Sequence, residues 1–509
     1  MESMKTELKS IKTVLSKREL KTESIWRKTC PIQSYPVLDQ HIETDVAIIG
    51  GGMTGILTAW HLWQAGVRTV VLEAGQIGNG QTQNTTAKIT SQHGMLCHKL
   101  IEKKGEERAA KYFQANQAAV EMYKKIIGEQ GISCDLEECN SYVYSSDDEK
   151  LKKETAAACR LGINASLVRT LEIPVACAGA VCFHGQARFH PLKFMKALAE
   201  DLTIYENSRV IHIEDHLVKT AFGSVKAGKI VFAAHFPFIN FPGMYFARMY
   251  QERSYVVALE HAGQIEGMYI GDDKAALSFR QYGKYLLLGG QGHRTGENES
   301  GQCWERLIKT GKQLYPECSV AALWAAQDCM TTDDMPFIGA YAHRRPDWFV
   351  ATGFQKWGMT SSMAAAMLIR DMICEDTNAY GHVNPYTNIN AYKDVFAPSR
   401  FSAEEIPRLV KAGTMAVKGL ARRFFSLPDR VIADLKPGMG AIVDTQQGKA
   451  GVYKTEQGEI YQVDIVCPHM GCQLTWNPDE HTWDCPCHGS RFDYKGNLLD
   501  GPAQEEIGR

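Results

Sequence analysis

No stretch of the 509-residue chain approaches eighteen uninterrupted apolar residues, so no membrane-spanning helix is expected. Residues Met1 to Lys28 are rich in Lys and Glu, and they lack both the apolar core of an export signal and a twin-arginine pair. A cytoplasmic protein is therefore expected. Excess charge of either sign is lacking too: 56 Lys and Arg stand against 58 Asp and Glu, a formal net charge of −2. A nucleic-acid or anionic-membrane partner would call for a basic surface, so neither is expected. Internal repeats and low-complexity tracts are missing. Paired cysteine spacings are scarce: eleven of the fifteen cysteines, among them Cys97, Cys159, Cys182 and Cys374, are scattered, as a reducing compartment allows. Most of these, Cys134 and Cys139 included, are read as buried small hydrophobes.

The chain has 44% apolar residues and a length suited to about three folding units. Its plainest chemistry lies in the last quarter. Cys467-Pro468-His469-Met470-Gly471-Cys472 is answered, with fifteen residues intervening between His469 and Cys485, by Cys485-Pro486-Cys487-His488-Gly489-Ser490. A Cys-x-His and a Cys-x-x-His pair supply two thiolates and two imidazoles, the donor set of a Rieske [2Fe-2S] centre, with two Cys on one iron and two His on the other. Cys2His2 is a zinc set as well, but zinc needs only four ligands, and each loop holds one cysteine more, Cys472 and Cys487. Cys467, His469, Cys485 and His488 are read as the cluster ligands. The stretch resembles the Rieske domains of respiratory cytochrome complexes and of FAD-plus-Rieske oxidoreductases. That resemblance implies a disulfide between Cys472 and Cys487. It also implies a lower cluster potential than in the respiratory proteins, because Ser490 is kept while Phe492 stands where they carry a sulfur-bonding Tyr.

A second motif opens at Thr44-Asp45-Val46-Ala47-Ile48-Ile49, an apolar strand that runs into Gly50, Gly52 and Gly55. A helix over Ile56 to Ala65 stops at Gly66, a strand Thr69 to Leu72 comes next, and Glu73 closes it eighteen residues after Gly55. This strand–turn–helix–strand–acid order is the dinucleotide fingerprint: glycines let a pyrophosphate approach the helix N-terminus, and the acid meets the adenosine ribose. FAD and NAD share it.

Past Glu73 the chain resembles the D-amino-acid oxidase and glycine/sarcosine oxidase-like family, which implies FAD. Gly78 to Thr86 and then Ala87-Lys88-Ile89-Thr90-Ser91-Gln92-His93-Gly94 look like that family's flavin-contacting loop. Lys229 to His235 resembles the strand closing over the adenine. Met335 to Gly339 and Ala351 to Thr360 resemble the late strand and helix start beneath the isoalloxazine. Carried over, the resemblance places Thr54, Thr85, Thr86, Ala87, Ala234, Gly353, Phe354, Gly358 and Met359 beside the cofactor, with the helix start directing N–H dipoles at the reduced flavin.

Tyr285 to Gly296 also carries glycines after an apolar run, but Gly290, Gly292 and Gly296 miss the dinucleotide spacing and lead into a polar loop, so a strand and turn of an antiparallel sheet is expected. Helical periodicity marks 106–127 and 193–200, and 255–259 reads as a strand. The fold class expected is an α/β, Rossmann-type FAD-binding domain with an antiparallel-sheet substrate domain (α+β), plus a C-terminal all-β Rieske domain. The boundaries are 1–40 for a polar extension, 41–375 for the flavoprotein, 376–428 for a linker with an amphipathic helix over 403–425, and 429–509 for the Rieske domain. Strands are expected at 451–454 and 460–466, with an abbreviated last strand.

The function expected is a flavin-dependent oxidoreductase taking a hydride from a carbon alpha to an amine, with single electrons passing through the cluster to an acceptor; a redox sensor is the alternative. The partners implied are a small-molecule substrate and an electron acceptor or donor. Arg253, Tyr255, Arg280, Tyr282 and Arg294 are candidates for binding a substrate carboxylate. No catalytic base is identifiable.

Overall fold

A computed structural model of the chain describes residues 22–273, 276–375, 389–401, 432–446 and 448–508, with Pro407, Val410 and Thr414. Two large sheets and two small ones organise them.

The first sheet runs Phe337–Ala342, Arg345–Thr352, Ser224–Phe232, His41–Ile49, Thr69–Leu72, Ile204–Tyr205. Its central pairs are parallel. Val46 to Ile49 and Val70 to Leu72 are buried throughout, as parallel strands covered on both faces require. Helix Met53–Gln64 and helix Gly358–Glu375 pack together on one face, where Thr54 Oγ1 and Ser362 Oγ lie 2.8 Å apart. The second helix is buried all round from Met359 to Arg370, because small and apolar residues occupy every side of its cylinder.

The second sheet runs Ser319–Thr331, Met249–Glu260, Tyr285–Arg294, Ser278–Tyr282, Met268–Gly271, Glu137–Ser145, Gly179–Arg188, Lys88–Ile89. It is antiparallel except where Met268–Gly271 meets Glu137–Ser145. The glycine-rich run at 285–296 is a strand of this sheet, as its spacing foretold.

Part of the polar N-terminal stretch is docked. Ser24 Oγ caps helix Ile25–Thr29, Trp26 is fully buried with its Nε1 donating to Thr85 O at 2.7 Å, and Leu38 is buried beneath the first sheet. Composition concealed this, since a few apolar residues in a charged background suffice for docking. At the other end Val395 and Phe396 return to the flavoprotein core, and the Arg400 guanidinium donates to both oxygens of buried Asp333. The helix expected over 403–425 lies outside the described residues, apart from three positions.

The C-terminal domain holds two antiparallel sheets of short strands: Gly440–Thr445, Gly448–Lys454, Ile460–Val463, and Thr475–Asn477, Thr482–Asp484, Arg491–Asp493, Leu498–Asp500. Its core gathers Leu474, Trp483, Phe492 and Ile507 around the four cysteines.

Candidate functional site

The dinucleotide turn forms because three backbones converge on it. A Cβ on Gly50 would lie 2.6 Å from Ala233 O, and one on Gly55 would lie 1.9 Å from Gly50 O, so only glycine lets helix Met53–Gln64 press against the strand. Gly52 is different: only Thr82 Oγ1, at 3.4 Å, stands before its Cβ position. That open side, at a helix N-terminus, is the cradle a pyrophosphate needs. Glu73 braces the turn, accepting from Gly51 N at 2.7 Å and Gly75 N at 2.8 Å. Burial raises its pKa, and these two N–H groups act against that rise.

From this turn the chain leads to a cavity of about 480 Å³ between the second sheet and the stretches 84–88 and 356–359. Thr85, Thr86, Gly358 and Met359 line one side; Glu252, Ser254, Tyr255, His293 and Asp328 line the other. Ala87 is buried behind Thr85, whose Oγ1 accepts from Ala87 N. Gly353 packs against Thr331 and Phe354 is half-buried nearby; neither lines this cavity. Glu252 and Asp328 are cross-strand neighbours and therefore share a face. Lys356 Nζ lies 3.2 Å from Glu252 and 3.4 Å from Asp328. Burial would lower its pKa, but the two carboxylates more than offset this and raise it. Lys88 enters from the flavin-side loop, with Nζ on Ser278 Oγ at 2.5 Å and Thr86 Oγ1 at 3.3 Å.

None of the three arginines proposed for a substrate carboxylate lines this cavity. Arg253 is ion-paired with Glu480, Arg280 donates to Phe189 O and lies over the Trp26 ring, and Arg294 donates to Pro486 O and Cys487 O. Tyr282 bonds to Asp135; Tyr255 alone of the five is in the wall. Glu252 and Asp328 were missed, and Lys88 and Lys356 were read only as members of flavin-side runs, although period-two alternation along Met249–Glu260 was a signal that Glu252 and Ser254 share one face.

The two cysteine–histidine loops are built alike. Gly471 N donates to Cys467 O and Gly489 N to Cys485 O, both at 2.9 Å, while each first cysteine's N–H reaches the loop's far end. The Cys472–Cys487 disulfide joins them. This brings the His469 and His488 rings to 4.8 Å between centroids, with Cys467 and Cys485 buried behind. The sulfurs of Cys472, Cys485 and Cys487 also lie within 4.8 Å of one another, but the disulfide leaves two of them no thiolate to offer a metal. His469 Nε2 meets Asn240 Oδ1 at 2.8 Å, whereas its Nδ1 is buried without a partner. Burial lowers the pKa of His469 to about 4 and that of His488 to about 3, so both rings are neutral near pH 7, the form that binds metal. The donor set thus fits two irons. Ser490 Oγ accepts from Ala503 N at 3.0 Å and bonds to Cys467; Phe492 is fully buried.

The second loop is clamped onto the second sheet. Gln251 Nε2 donates to His488 O at 2.7 Å and Gly501 O at 3.0 Å; Gln327 Nε2 donates to Gly489 O at 2.9 Å and Gln251 Oε1 at 2.7 Å. Glu480 enters the same face, bound by Arg253 and by Arg491 at 2.9 Å. Asn298 bonds Asn477 and Asp479, and Gln81 bonds Asp500.

The sequence profile of the family described as FAD dependent oxidoreductase (DAO) matches residues 45–372, and that of the Rieske [2Fe-2S] domain matches 427–508. The Bacillus subtilis (strain 168) protein YhfW, named as a Rieske 2Fe-2S iron-sulfur protein, is 36% identical over 500 residues, covering 94% of this chain and 96% of that one. Glycine oxidase from Geobacillus kaustophilus superposes with a TM-score of 0.56 at 18% identity, covering 68% of this chain and 98% of the other. L-proline dehydrogenase from P. horikoshii does so with a TM-score of 0.58 at 19% identity, covering 72% and 98%. At such identities the likeness to the two solved structures is one of fold.

Proposed function

Since the chain belongs to the FAD dependent oxidoreductase (DAO) family and carries a C-terminal Rieske [2Fe-2S] domain, we propose that it oxidises a small amine or amino acid at the carbon bearing nitrogen and relays the electrons one at a time to an acceptor. FAD supplies the two-electron acceptor and the cluster the one-electron carrier. The observation that carries the reading is a shared wall. The 480 Å³ cavity has Thr85, Thr86, Gly358 and Met359 on its flavin side, and the strands forming its opposite side hold the Cys485–Ser490 loop through Gln251 and Gln327.

In this reading Gly50, Gly52, Thr54 and Gly55 receive the pyrophosphate, Glu73 the adenosine ribose, and Ala234 the adenine side. Thr85, Thr86, Gly358 and Met359 face the isoalloxazine, Ala87 backs Thr85, and Gly353 and Phe354 stand off the cavity. Cys467 and Cys485 hold one iron; His469, through Nδ1, and His488 hold the other. The solved folds that resemble the flavoprotein part include a glycine oxidase and an L-proline dehydrogenase, which supports a nitrogen-bearing substrate.

Anaerobic mixing of the purified holoprotein with amines and amino acids tests this: the flavin absorption should bleach first and the cluster absorption afterwards. A flavin that no such compound bleaches, yet a reduced electron carrier does, would reverse the direction proposed.

A further inference from the structure

Lys88 differs from the other charged groups around the cavity in having no carboxylate partner among the described residues. Its Nζ meets two hydroxyls, Thr86 Oγ1 at 3.3 Å and Ser278 Oγ at 2.5 Å. It lies on the cavity wall, three residues beyond Thr85, at the flavin side of the space.

The groups packed around it make a charge there costly. On strand Ser278–Tyr282, Arg280 is buried and holds its own charge against the rings of Trp26 at 4.8 Å and Tyr282 at 5.6 Å. On strand Gly179–Arg188, Arg188 is neutralised by Glu137 of strand Glu137–Ser145 at 2.6 Å, and that strand's Cys139 is a thiol whose pKa burial raises to about 11. Across the cavity stand Glu252, Asp273, Asp328 and Lys356, with Lys356 already lying between Glu252 and Asp328. Protonating Lys88 would thus add a second uncompensated cation beside Arg280, which weakens the hold of this half-buried lysine on its proton. Burial, then Arg280, lower its pKa to about 7.

The other groups in the wall are poorer acceptors. Glu252 and Asp328 share the Lys356 ammonium, and burial drives the Tyr255 hydroxyl pKa far up. Both nitrogens of His293 are engaged, Nε2 by Tyr255 and Nδ1 at Arg294 O.

We propose that Lys88 is the base that takes a proton from the substrate's ammonium nitrogen. The assignment rests on the cavity being the amine-oxidising site. A substrate N–H bond breaks and an Nζ–H bond forms. The lone pair so freed becomes the second bond of C=N as the α-hydrogen leaves with its electron pair to oxidised FAD. Thr86 Oγ1 and Ser278 Oγ accept from the new ammonium until its proton passes to water.

The test uses the holoprotein and its Lys88→Met and Lys88→Arg variants. The probes are glycine, L-proline and their carboxyl-free counterparts methylamine and pyrrolidine. Anaerobic flavin bleaching is followed by stopped flow from about pH 6 to about pH 10. In wild type the second-order bleaching rate should rise through about pH 7 and level off. In both variants, equally loaded with FAD, it should fall about 100-fold near pH 7 and recover about tenfold per pH unit as the substrate deprotonates itself. A pH titration of the bound flavin spectrum without substrate should show a transition near pH 7 that both variants lack. Variants that keep the wild-type pH profile overturn the assignment while leaving amine oxidation standing. Loss of FAD from both variants overturns it by making Lys88 a cofactor contact. A wild-type flavin bleached by none of the probes overturns both.

Discussion

Glu73 does more than end a strand. Both carboxylate oxygens are occupied by backbone donors, Gly51 N and Gly75 N, so a ribose must share them. Glu73→Ala would leave two N–H groups of the turn without their acceptor. It should cost stability on the order of 1–3 kcal/mol as well as weakening FAD binding. Gly52→Val is expected to behave oppositely, because the space before Gly52 holds only Thr82 Oγ1: a protein that retains no flavin yet melts like wild type stripped of its flavin. Thermal unfolding set beside flavin content separates the two, and a flavin-loaded Gly52→Val protein would show that this turn does not hold the cofactor. At this scale the sequence was legible where chemistry is local: the glycine spacing and the cysteine–histidine loops lie within a few residues of one another. It was illegible where one residue answers another across the fold. Arg253 and Arg294 read as possible carboxylate forks, but Glu480 and the backbone of the 485–488 loop claim them.

At the scale of the element, strand Met249–Glu260 serves two sites by alternation. Gln251 and Arg253 point to the Rieske loops, while Glu252 and Ser254 face the cavity, until the register shift between Arg253 and Tyr255. Its strand character was readable over a short stretch only; its partners in the sheet, from 27 positions (Leu259 with Leu286) to 82 positions (Met249 with Thr331) away in the chain, were not. Partly buried Glu480 is held between Arg253 and Arg491; Arg491 keeps Asp484 and Asp500, so Glu480→Gln leaves the buried Arg253 guanidinium uncompensated and should loosen the interface by about 3–5 kcal/mol. Burial acts to raise the Glu480 pKa, but Arg253 and Arg491 outweigh it and the net shift is downward. Its contribution is therefore complete above the ordinary glutamate pKa of about 4.3 and disappears as pH falls through the lower folded value. Amide exchange in the strands 475–500 should report both effects. Exchange in Glu480→Gln no faster than in wild type at neutral pH would show that the ion pair does not hold the module.

For the whole molecule, the sequence predicted a flavoprotein followed by a Rieske module, and both are present as folded units with separate cores. What the sequence did not disclose is their apposition, since the contacting residues stand some two hundred positions apart and no short-range pattern encodes them. Because the cores are separate, Cys467→Ser and His488→Ala should each abolish the cluster and leave FAD in place. Iron and flavin counts on purified protein check this. Loss of flavin along with iron would mean that the 485–490 loop, through Gln251 and Gln327, is needed to keep the substrate sheet in register.

The amide pair of Gln251 and Gln327 grips the loop of His488 while Asn240 grips His469, so both histidines of the cluster are tied to the flavoprotein part. A carrier tethered on a swinging arm delivers charge at a pace limited by friction with the solvent. A carrier bolted at both ends has a fixed gap to cross, and tunnelling over a fixed gap takes no notice of the medium. The delay between flavin bleaching and cluster bleaching should accordingly be the same in plain buffer and in thick sucrose.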